Sequence, residues 1–148
     1  MFPNSQASEM LALIATLDPA SQAAGAVSTG WVSVANHLGF LALVQTGVLG
    51  TAATVDAKLQ QALDNAGTGA KDITGKSITQ IVKATGDNKQ ALINIKPEEL
   101  DTVNGFGFVR VTVTVGVAAS ITSAQLIGVN PRYAPADSQN QAAVVQVI

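Results

Sequence analysis

The sequence predicts an all-β protein, folded as a single-domain antiparallel β-sandwich over residues 1–148. Turn signals rich in Gly, Pro, Asn and Asp recur about every 10–20 residues, a spacing typical of sandwiches and barrels. One long segment, Gly105 to Val117, alternates between valine and other residue types, which is the period of a β-strand. A chain of 148 residues fits one domain, with a core large enough to need no disulfide or metal.

The segment Gly105 to Val117 is the clearest strand. Its β-branched and aromatic residues favour strand structure, and a strand directs successive side chains to opposite faces. We therefore expect one face to line the core and the other to point outward. The core face consists of Val109, Val111, Val113, Val115 and Val117, and the outward face of Phe106, Phe108, Arg110, Thr112 and Thr114.

Seven further segments are weaker strand candidates. Leu11 to Leu17 fits a strand or a helix, and Thr54 to Asp64 fits both periods, although its strand-like neighbours favour a strand. Phe40 to Val44 is a continuous apolar run, consistent with a central strand that is buried on both faces. The remaining candidates are Trp31 to Val34, Ala91 to Lys96, Ala124 to Val129 and, as a final strand, Val144 to Ile148.

Two stretches at the ends of the chain predict extended arms, at about residues 1–26 and 131–148. The stretch 135–143 has little to bury, so we expect it to be mobile or ordered by a partner. Pro97 to Leu100 predicts one short helical turn, because Pro is favoured at the first helical position and carboxylates are favoured near a helix N-terminus.

The low charge of the chain restricts its function. Asp, Glu, Lys and Arg make up 12% of the residues, about half the usual share of ~25%. The net charge of −2 argues against nucleic-acid binding. The absence of Cys excludes disulfides and thiol chemistry, and the single His argues against the common zinc sites. We therefore expect no metal, no cofactor and no enzyme activity.

The charge-poor surface predicts contact with other subunits. Free monomers usually keep mixed charges on their surface, whereas the cores of interfaces are depleted in charge. The alternative is a small stable domain with a neutral polar surface. No apolar run approaches the ~18 residues of a membrane span, so we expect no membrane partner. The start of the chain, which lacks Lys and Arg, does not resemble a secretory signal.

Three motifs have a chemical interpretation, and each has a simpler structural one. Ala70 to Ser77 matches a relaxed phosphate-loop pattern, but a turn cluster precedes it where such a loop requires a strand. We expect a loop over residues 64–76 that joins two strands. His37 has no nucleophile motif around it and is expected to be a structural or surface residue. The acidic cluster at residues 98–101 fits a capped turn better than a calcium site.

The candidate site residues are contacts, with no residue assigned to catalysis, cofactor or metal. Trp31 is a candidate interface anchor, with a place in the sandwich core as the alternative. Arg132 and Tyr133 follow Pro131 on a predicted turn, where they are candidates for contact with a partner chain.

The chain as a whole resembles a family of small proteins encoded among the head genes of tailed bacteriophages and prophages. The resemblance is carried by structural signatures and offers no active-site residues. Those signatures are Asp18-Pro19, Gly30-Trp31-Val32, Val44 to Gly47, Thr54 to Ala62, Asp64 to Asp72, Phe108 to Thr112, Leu126 to Gly128 and Pro131 to Tyr133.

The resemblance implies a structural protein of the virion: a capsid decoration (cement) protein, made in the host cytoplasm, that bridges major capsid subunits on the outer capsid surface. Such proteins are small β-sandwiches or jelly rolls and are often trimers, so it also implies a jelly-roll-like fold and a homotrimer. It favours the strand assignment for Thr54 to Asp64. Two other roles stay open: a host-surface or carbohydrate-binding module of the virion, and a head–tail completion or tail-tube protein.

Overall fold

The computed structural model describes residues 4–148 and contains two antiparallel sheets. Its helices are short: α1 (Ala7–Met10), α2 (Lys83–Gly86) and three 3₁₀ turns at Pro97–Glu99, Thr102–Asn104 and Ala136–Gln139. None of the helices among residues 4–148 has the length and apolar character needed to cross a membrane. The strands are β1 (Leu11–Gln22), β2 (Gly25–Ser28), β3 (Val32–Ser33), β4 (His37–Thr46), β5 (Thr54–Ala62), β6 (Lys71–Ser77), β7 (Ile81–Val82), β8 (Gln90–Ile95), β9 (Phe108–Gly116) and β10 (Ser120–Pro131).

The strand order is that of a jelly roll. The first sheet has the order β1-β10-β4-β8, and the second sheet has the order β2-β9-β5-β6. The two-residue strands β3 and β7 pair with β9 and β5. Eight long strands in two four-stranded antiparallel sheets confirm the predicted all-β, jelly-roll-like sandwich.

The core lies between the sheets and is built by the alternation of the strands. The inward valines of β9, at positions 109, 111, 113 and 115, are almost completely buried, as predicted. Val117 is the exception: it is 72% exposed and has a φ of 69°, because β9 has ended at Gly116. The same core contains Phe40, Val44, Val55, Leu59, Ile93, Ile95, Ala124 and Leu126.

Most of the predicted strands are present, and the two ambiguous segments are both strands, β1 and β5. The loop expected over residues 64–76 is wrong in its second half, since Lys71–Ser77 is strand β6. Cross-strand pairs to β5, among them Gln60 with Asp72, hold this polar segment in the sheet. The final strand expected at Val144 to Ile148 is also wrong, because that segment has no regular secondary structure.

Much of the predicted N-terminal arm, at about residues 1–26, belongs to the two sheets. Residues 11–22 form β1 at an edge of the first sheet, and residues 25–28 form β2 in the second sheet. Residues 1–3 of that prediction lie outside the described part of the chain. The helical turn predicted at Pro97 is present as a 3₁₀ turn, in which Glu99 accepts a hydrogen bond from the backbone N–H of Lys96 at 2.8 Å.

The C-terminal region is partly ordered by its own chain, which corrects the expectation for residues 135–143. The turn Ala136–Gln139 packs on α1 and β1, and Ala136 is fully buried. The backbone N–H of Leu13 donates to Asn140 Oδ1 at 2.7 Å, and the Leu13 carbonyl accepts from the backbone N–H of Gln141 at 2.8 Å. These bonds occupy backbone groups of β1 that would otherwise be exposed at a sheet edge.

A backbone carbonyl of β8, the strand at the other edge of the first sheet, is also occupied by a group from the same chain. Lys76, at the end of β6, donates from Nζ to the backbone carbonyl of Asn94 in the edge strand β8 at 2.8 Å. Lysines placed on edge strands are a common means of preventing a second chain from pairing there. Both edges of the first sheet therefore carry an obstacle to further strand addition.

The alternation of β9 predicts the outcome of two matched substitutions. Val113→Asn should lower the free energy of unfolding by about 3 kcal/mol, because it buries an amide without partners among aliphatic side chains. Thr114→Asn, one residue later on the outward face, should cost less than about 1 kcal/mol. Urea unfolding of both variants measures the difference, and equal losses would contradict the assignment of the two faces.

Candidate interaction surface

The outer face of the first sheet is the candidate functional site. Along β4 and β10, alternate side chains such as Phe40 and Leu126 enter the core, and the residues between them point outward. The strand register aligns the outward side chains in rows across all four strands. We call this surface the uncharged face; it consists of Leu11, Leu13, Thr16, Gly39, Leu41, Leu43, Gln45, Gln90, Leu92, Asn94, Ser123, Gln125, Ile127 and Val129.

Aliphatic side chains form a continuous patch on the uncharged face. The register places Leu13 beside Ile127 and Ile127 beside Leu41, and it pairs Leu43 with Leu92 in the next row. Directly opposed residues on one face of an antiparallel pair have Cβ atoms about 5 Å apart, so such side chains touch. Leu92 is 60% exposed, and the patch has no further layer of described residues above it.

Charge is missing from the uncharged face. The positions not taken by aliphatic residues carry Gly, Ser, Thr, Asn or Gln. Lys89 and Lys96 lie beyond the ends of β8, and Asp18 borders the face in β1, where its carboxylate accepts a hydrogen bond from the Thr16 hydroxyl at 3.4 Å. A contiguous exposed apolar patch with a polar rim is typical of interaction sites, and depletion of charge is typical of interface cores. The surface is therefore suited to burial against another molecule.

The outer face of the second sheet has the opposite character. Gln60 Oε1 accepts hydrogen bonds from Arg110 Nε at 3.0 Å, Arg110 Nη2 at 2.8 Å and the Thr112 hydroxyl at 3.0 Å. Gln60 Nε2 donates to Asp72 at 2.7 Å, and Lys58 Nζ donates to the other oxygen of Asp72 at 2.7 Å. This network spans β9, β5 and β6, and its polar groups satisfy one another.

The same network holds the Asp72 carboxylate in its ionised form. The hydrogen bond from Lys58 lowers the pKa of Asp72 below its ordinary value, and the hydrogen bond from Gln60 adds to this effect. Lys58 and Asp72 are thus paired within the chain and remain in contact with water, since both side chains are exposed.

The acidic cluster at residues 98–101 serves the local turns. Glu99 accepts from Lys76 and from the backbone of Lys96, while Asp101 accepts from Lys71 at 2.5 Å and from the Asn104 amide. Hydrogen bonding from these lysines lowers the pKa of Glu99 and of Asp101. Among residues 4–148, no three His, Asp or Glu side chains gather in a way that could hold a metal ion.

The phosphate-loop match at Ala70 to Ser77 lies in the sheet. Its residues from Lys71 onward form β6, so much of their backbone pairs with β5, and the next element is strand β7. A phosphate loop needs backbone N–H groups that are free at the start of a helix. The arrangement here does not provide them.

Trp31 is held at the side of the second sheet. The Arg110 guanidinium lies 4.4 Å from the centre of its ring, and a Cβ added at Gly67 would come within 2.5 Å of Trp31 Nε1. The ring is half-buried between these neighbours, so Trp31 supports the polar network and the turn before β6. It is not part of the core between the sheets.

Arg132 and Tyr133 lie elsewhere, beyond the end of β10 in the first sheet. Both side chains are exposed, and the backbone N–H of Arg132 donates to the carbonyl of Asn36 at 2.8 Å. The structure therefore places the three predicted contact residues in two regions. Their contact with a partner chain stays a prediction.

His37 is a structural residue at the start of β4. It is 2% exposed, and its ring packs edge-to-face on Phe40 with the ring centres 5.7 Å apart. Its Nε2 atom and Gln139 Oε1 are buried without a hydrogen-bond partner among the described residues, and both side chains line one small cleft. Burial lowers the pKa of His37 because desolvation disfavours the charged ring.

The uncharged face is the feature that the sequence pattern did not reveal. Phe40 to Val44 does form a central strand, between β10 and β8, but the expected burial on both faces is wrong. Phe40, Ala42 and Val44 are buried, whereas Leu41 and Leu43 are only partly covered. The sequence feature that could have indicated this face is the apolar residue at every position from Phe40 to Val44. This pattern predicts that both faces of the strand are covered, but it does not show whether the same chain or another molecule covers the outer one.

Comparison with known proteins gives neighbours among solved structures only. No family model and no curated protein matches the sequence. A chain of Triatoma virus matches with 8% identity over 92% of this chain and 72% of that chain, at a TM-score of 0.48. The SPBc2 prophage-derived protein YomS matches with 8% identity over 79% of this chain and 91% of its own, at a TM-score of 0.44.

A CBM4 structure matches with 13% identity over 71% of this chain and 61% of that chain, at a TM-score of 0.41. Carbohydrate-binding modules and virus particles recur among the other neighbours. The two packed antiparallel sheets define the chain as a β-sandwich protein.

The burial of His37 predicts a pH dependence of stability. The unfolded chain binds the proton with the ordinary pKa of 6.5 and the folded chain binds it more weakly, so stability should fall as the pH drops below about 6.5, by at most about 1.4 kcal/mol per pH unit. His37 is the only histidine, so His37→Leu should remove this slope between pH 7.5 and 5.5. Urea unfolding across that range tests it, and an unchanged slope in the variant would refute it.

Proposed function

We propose that this chain is a capsid decoration protein of a tailed bacteriophage, bound as a homotrimer to the major capsid protein on the outer surface of the head. The observation that supports it is the uncharged face, which leaves a continuous aliphatic patch open on a rigid sheet. A decoration protein acts by covering area and bridging subunits, and it needs no catalytic group. A surface built for burial is what such a role requires.

The chemistry of the uncharged face suits permanent contact. Burying apolar surface contributes roughly 25 cal/mol per Å², and no position of this face carries a charged side chain that would have to leave water. The amide side chains interspersed among the leucines can exchange water for hydrogen bonds to a partner. Contact of this kind is little affected by salt, since it involves no exposed ion pairs.

The sheet geometry suits a rigid bridge. The face is carried by four paired strands, with β10 and β4 in the centre and with blocked edges on both sides. The surface therefore does not depend on a loop that must be ordered on binding, which would cost conformational entropy. In a trimer, three such copies multiply weak contacts with the capsid through avidity.

The alternative of a carbohydrate-binding module has less support. A sugar site needs an open aromatic ring beside free hydrogen-bonding groups. Trp31 is covered by Arg110 and packed against Gly67, and Tyr133, whose ring is exposed, lies beyond the end of β10 and outside both sheets. Gln60 already accepts three hydrogen bonds and donates one. No feature of the described residues favours a head–tail completion or tail-tube protein over a decoration protein.

Binding to undecorated capsids of the phage that encodes the chain tests the proposal. The purified protein should co-sediment with these capsids, and the bound fraction should stay similar between about 0.1 and 1 M NaCl. Leu43→Lys, in the middle of the uncharged face, should weaken binding at least about tenfold, because a lone ammonium group would be buried on assembly.

Thr114→Lys is the matched control, since it introduces the same charge on the outer face of the second sheet. It should bind as the unmodified protein does, and both variants should keep the unmodified circular dichroism spectrum and melting temperature within a few degrees. Absence of capsid binding by the unmodified chain, or equal loss in the two variants, would overturn the proposal.

A further inference from the structure

We propose that Val144–Ile148 of one copy lies across the uncharged face of a neighbouring copy within the oligomer. We call these five residues the C-terminal segment. The inference rests on the proposed function, because it takes the uncharged face to be buried on assembly. It assigns one row of that face to a second copy of this chain and leaves the other rows for the capsid.

The C-terminal segment has the composition of a buried strand but is open to solvent. Its sequence, Val-Val-Gln-Val-Ile, contains four β-branched residues, one amide and no charge, which favours an extended conformation on a sheet. Val145 is 96% exposed and Ile148 is fully exposed. Apolar side chains that are left in water at this density gain free energy when they are covered.

The C-terminal segment leaves the molecule at the border of the uncharged face. Gln141 is fixed there by two hydrogen bonds, from its backbone N–H to the Leu13 carbonyl at 2.8 Å and from its Nε2 to the Thr16 hydroxyl at 3.0 Å. Leu13 and Thr16 both belong to the uncharged face. The backbone N–H of Val144 then donates to the Gln141 carbonyl at 3.0 Å, which forms a turn. The residues that link the face to the segment, 141–143, carry no charged side chain.

Within one chain the two parts do not cover each other. The C-terminal segment stays exposed although Gln141, three residues before it, is hydrogen-bonded to Leu13 and Thr16 of the same chain's uncharged face. Leu92, at the far side of the face, is exposed as well. A second copy offers each part the surface that it lacks. Both surfaces combine aliphatic side chains with amides and have no charged side chain, so their contact buries no charged side chain.

The dimensions of the segment and the face agree. Five extended residues span about 17 Å, and the distance from β1 to β8 across three strand spacings is about 14 Å. One extended segment is therefore long enough to cross the whole face. A contact between different surfaces on successive copies closes into a ring when the rotation between them permits, and three copies would form the homotrimer proposed above.

The absence of Cys makes a disulfide test possible in the full chain. Val147→Cys places a thiol on the segment, and Leu11→Cys and Leu92→Cys place single thiols at opposite sides of the face. When a tagged Val147→Cys chain is mixed with either face variant under mild oxidation, a mixed disulfide between two chains should form with at least one of them, several-fold above the control. The control is Val147→Cys mixed with Thr114→Cys, on the outer face of the second sheet.

A second variant shows whether the segment drives association. Replacing Val144, Val145, Val147 and Ile148 with Ser should shift the mass measured by light scattering from oligomer to monomer. The circular dichroism spectrum should stay that of the unmodified chain, because these side chains pack little within the chain. Mixed disulfides no more frequent than in the control would overturn the inference. So would a Val147→Cys/Leu92→Cys double variant that forms its disulfide only within one chain.

The two proposals fail separately. If the unmodified chain binds capsids but no disulfide forms between chains, the decoration function stands and the docking of the segment is wrong. If the chains crosslink as described but the oligomer does not bind capsids, the contact between copies stands and the decoration function is wrong.

Discussion

The structure depends on one constraint: a β-strand has two faces, and this chain has only one core. The inner faces of both sheets are filled by aliphatic side chains from β4, β5, β9 and β10. Each sheet must then present an outer face, and the side chains on the two outer faces differ in character. The outer face of the second sheet carries the charged side chains of Lys58, Asp72 and Arg110. Hydrogen bonds join Lys58 to Asp72, and Gln60 to both Asp72 and Arg110. The first sheet uses leucine, isoleucine and uncharged amides, which suits a neighbour better than water.

The two outer faces differ in how much free energy it would cost to bury them. Ionised groups keep their hydration on the second sheet, where burying them would cost several kcal/mol per unpaired charge. The uncharged face carries no such cost. The first sheet is therefore better suited to being covered, and the second sheet is better suited to contact with water.

Strands with a clear contrast between their faces could be predicted from the sequence. In β9, valine alternates with threonine and Arg110, so the strand and the face that lines the core could both be predicted. The segment of β6, Lys71 to Ser77, is polar and resembles a loop; it is a strand because β5 pairs with it. The leucines of β4 could not be interpreted fully, since one chain does not reveal what covers its outer side. Val144 to Ile148 has strand propensity, but propensity alone supplies no pairing partner.

The blocked edges of the first sheet limit how copies of this chain can join. Asn140 and Gln141 occupy backbone groups of β1, and Lys76 occupies a carbonyl of β8. Growth by adding strand to strand, which leads to open-ended fibres, is therefore impeded at both ends. The decoration role proposed above would require many identical copies to be present at once. A molecule that joins its neighbours through faces, with the edges of its first sheet occupied, can reach that abundance without forming open-ended fibres.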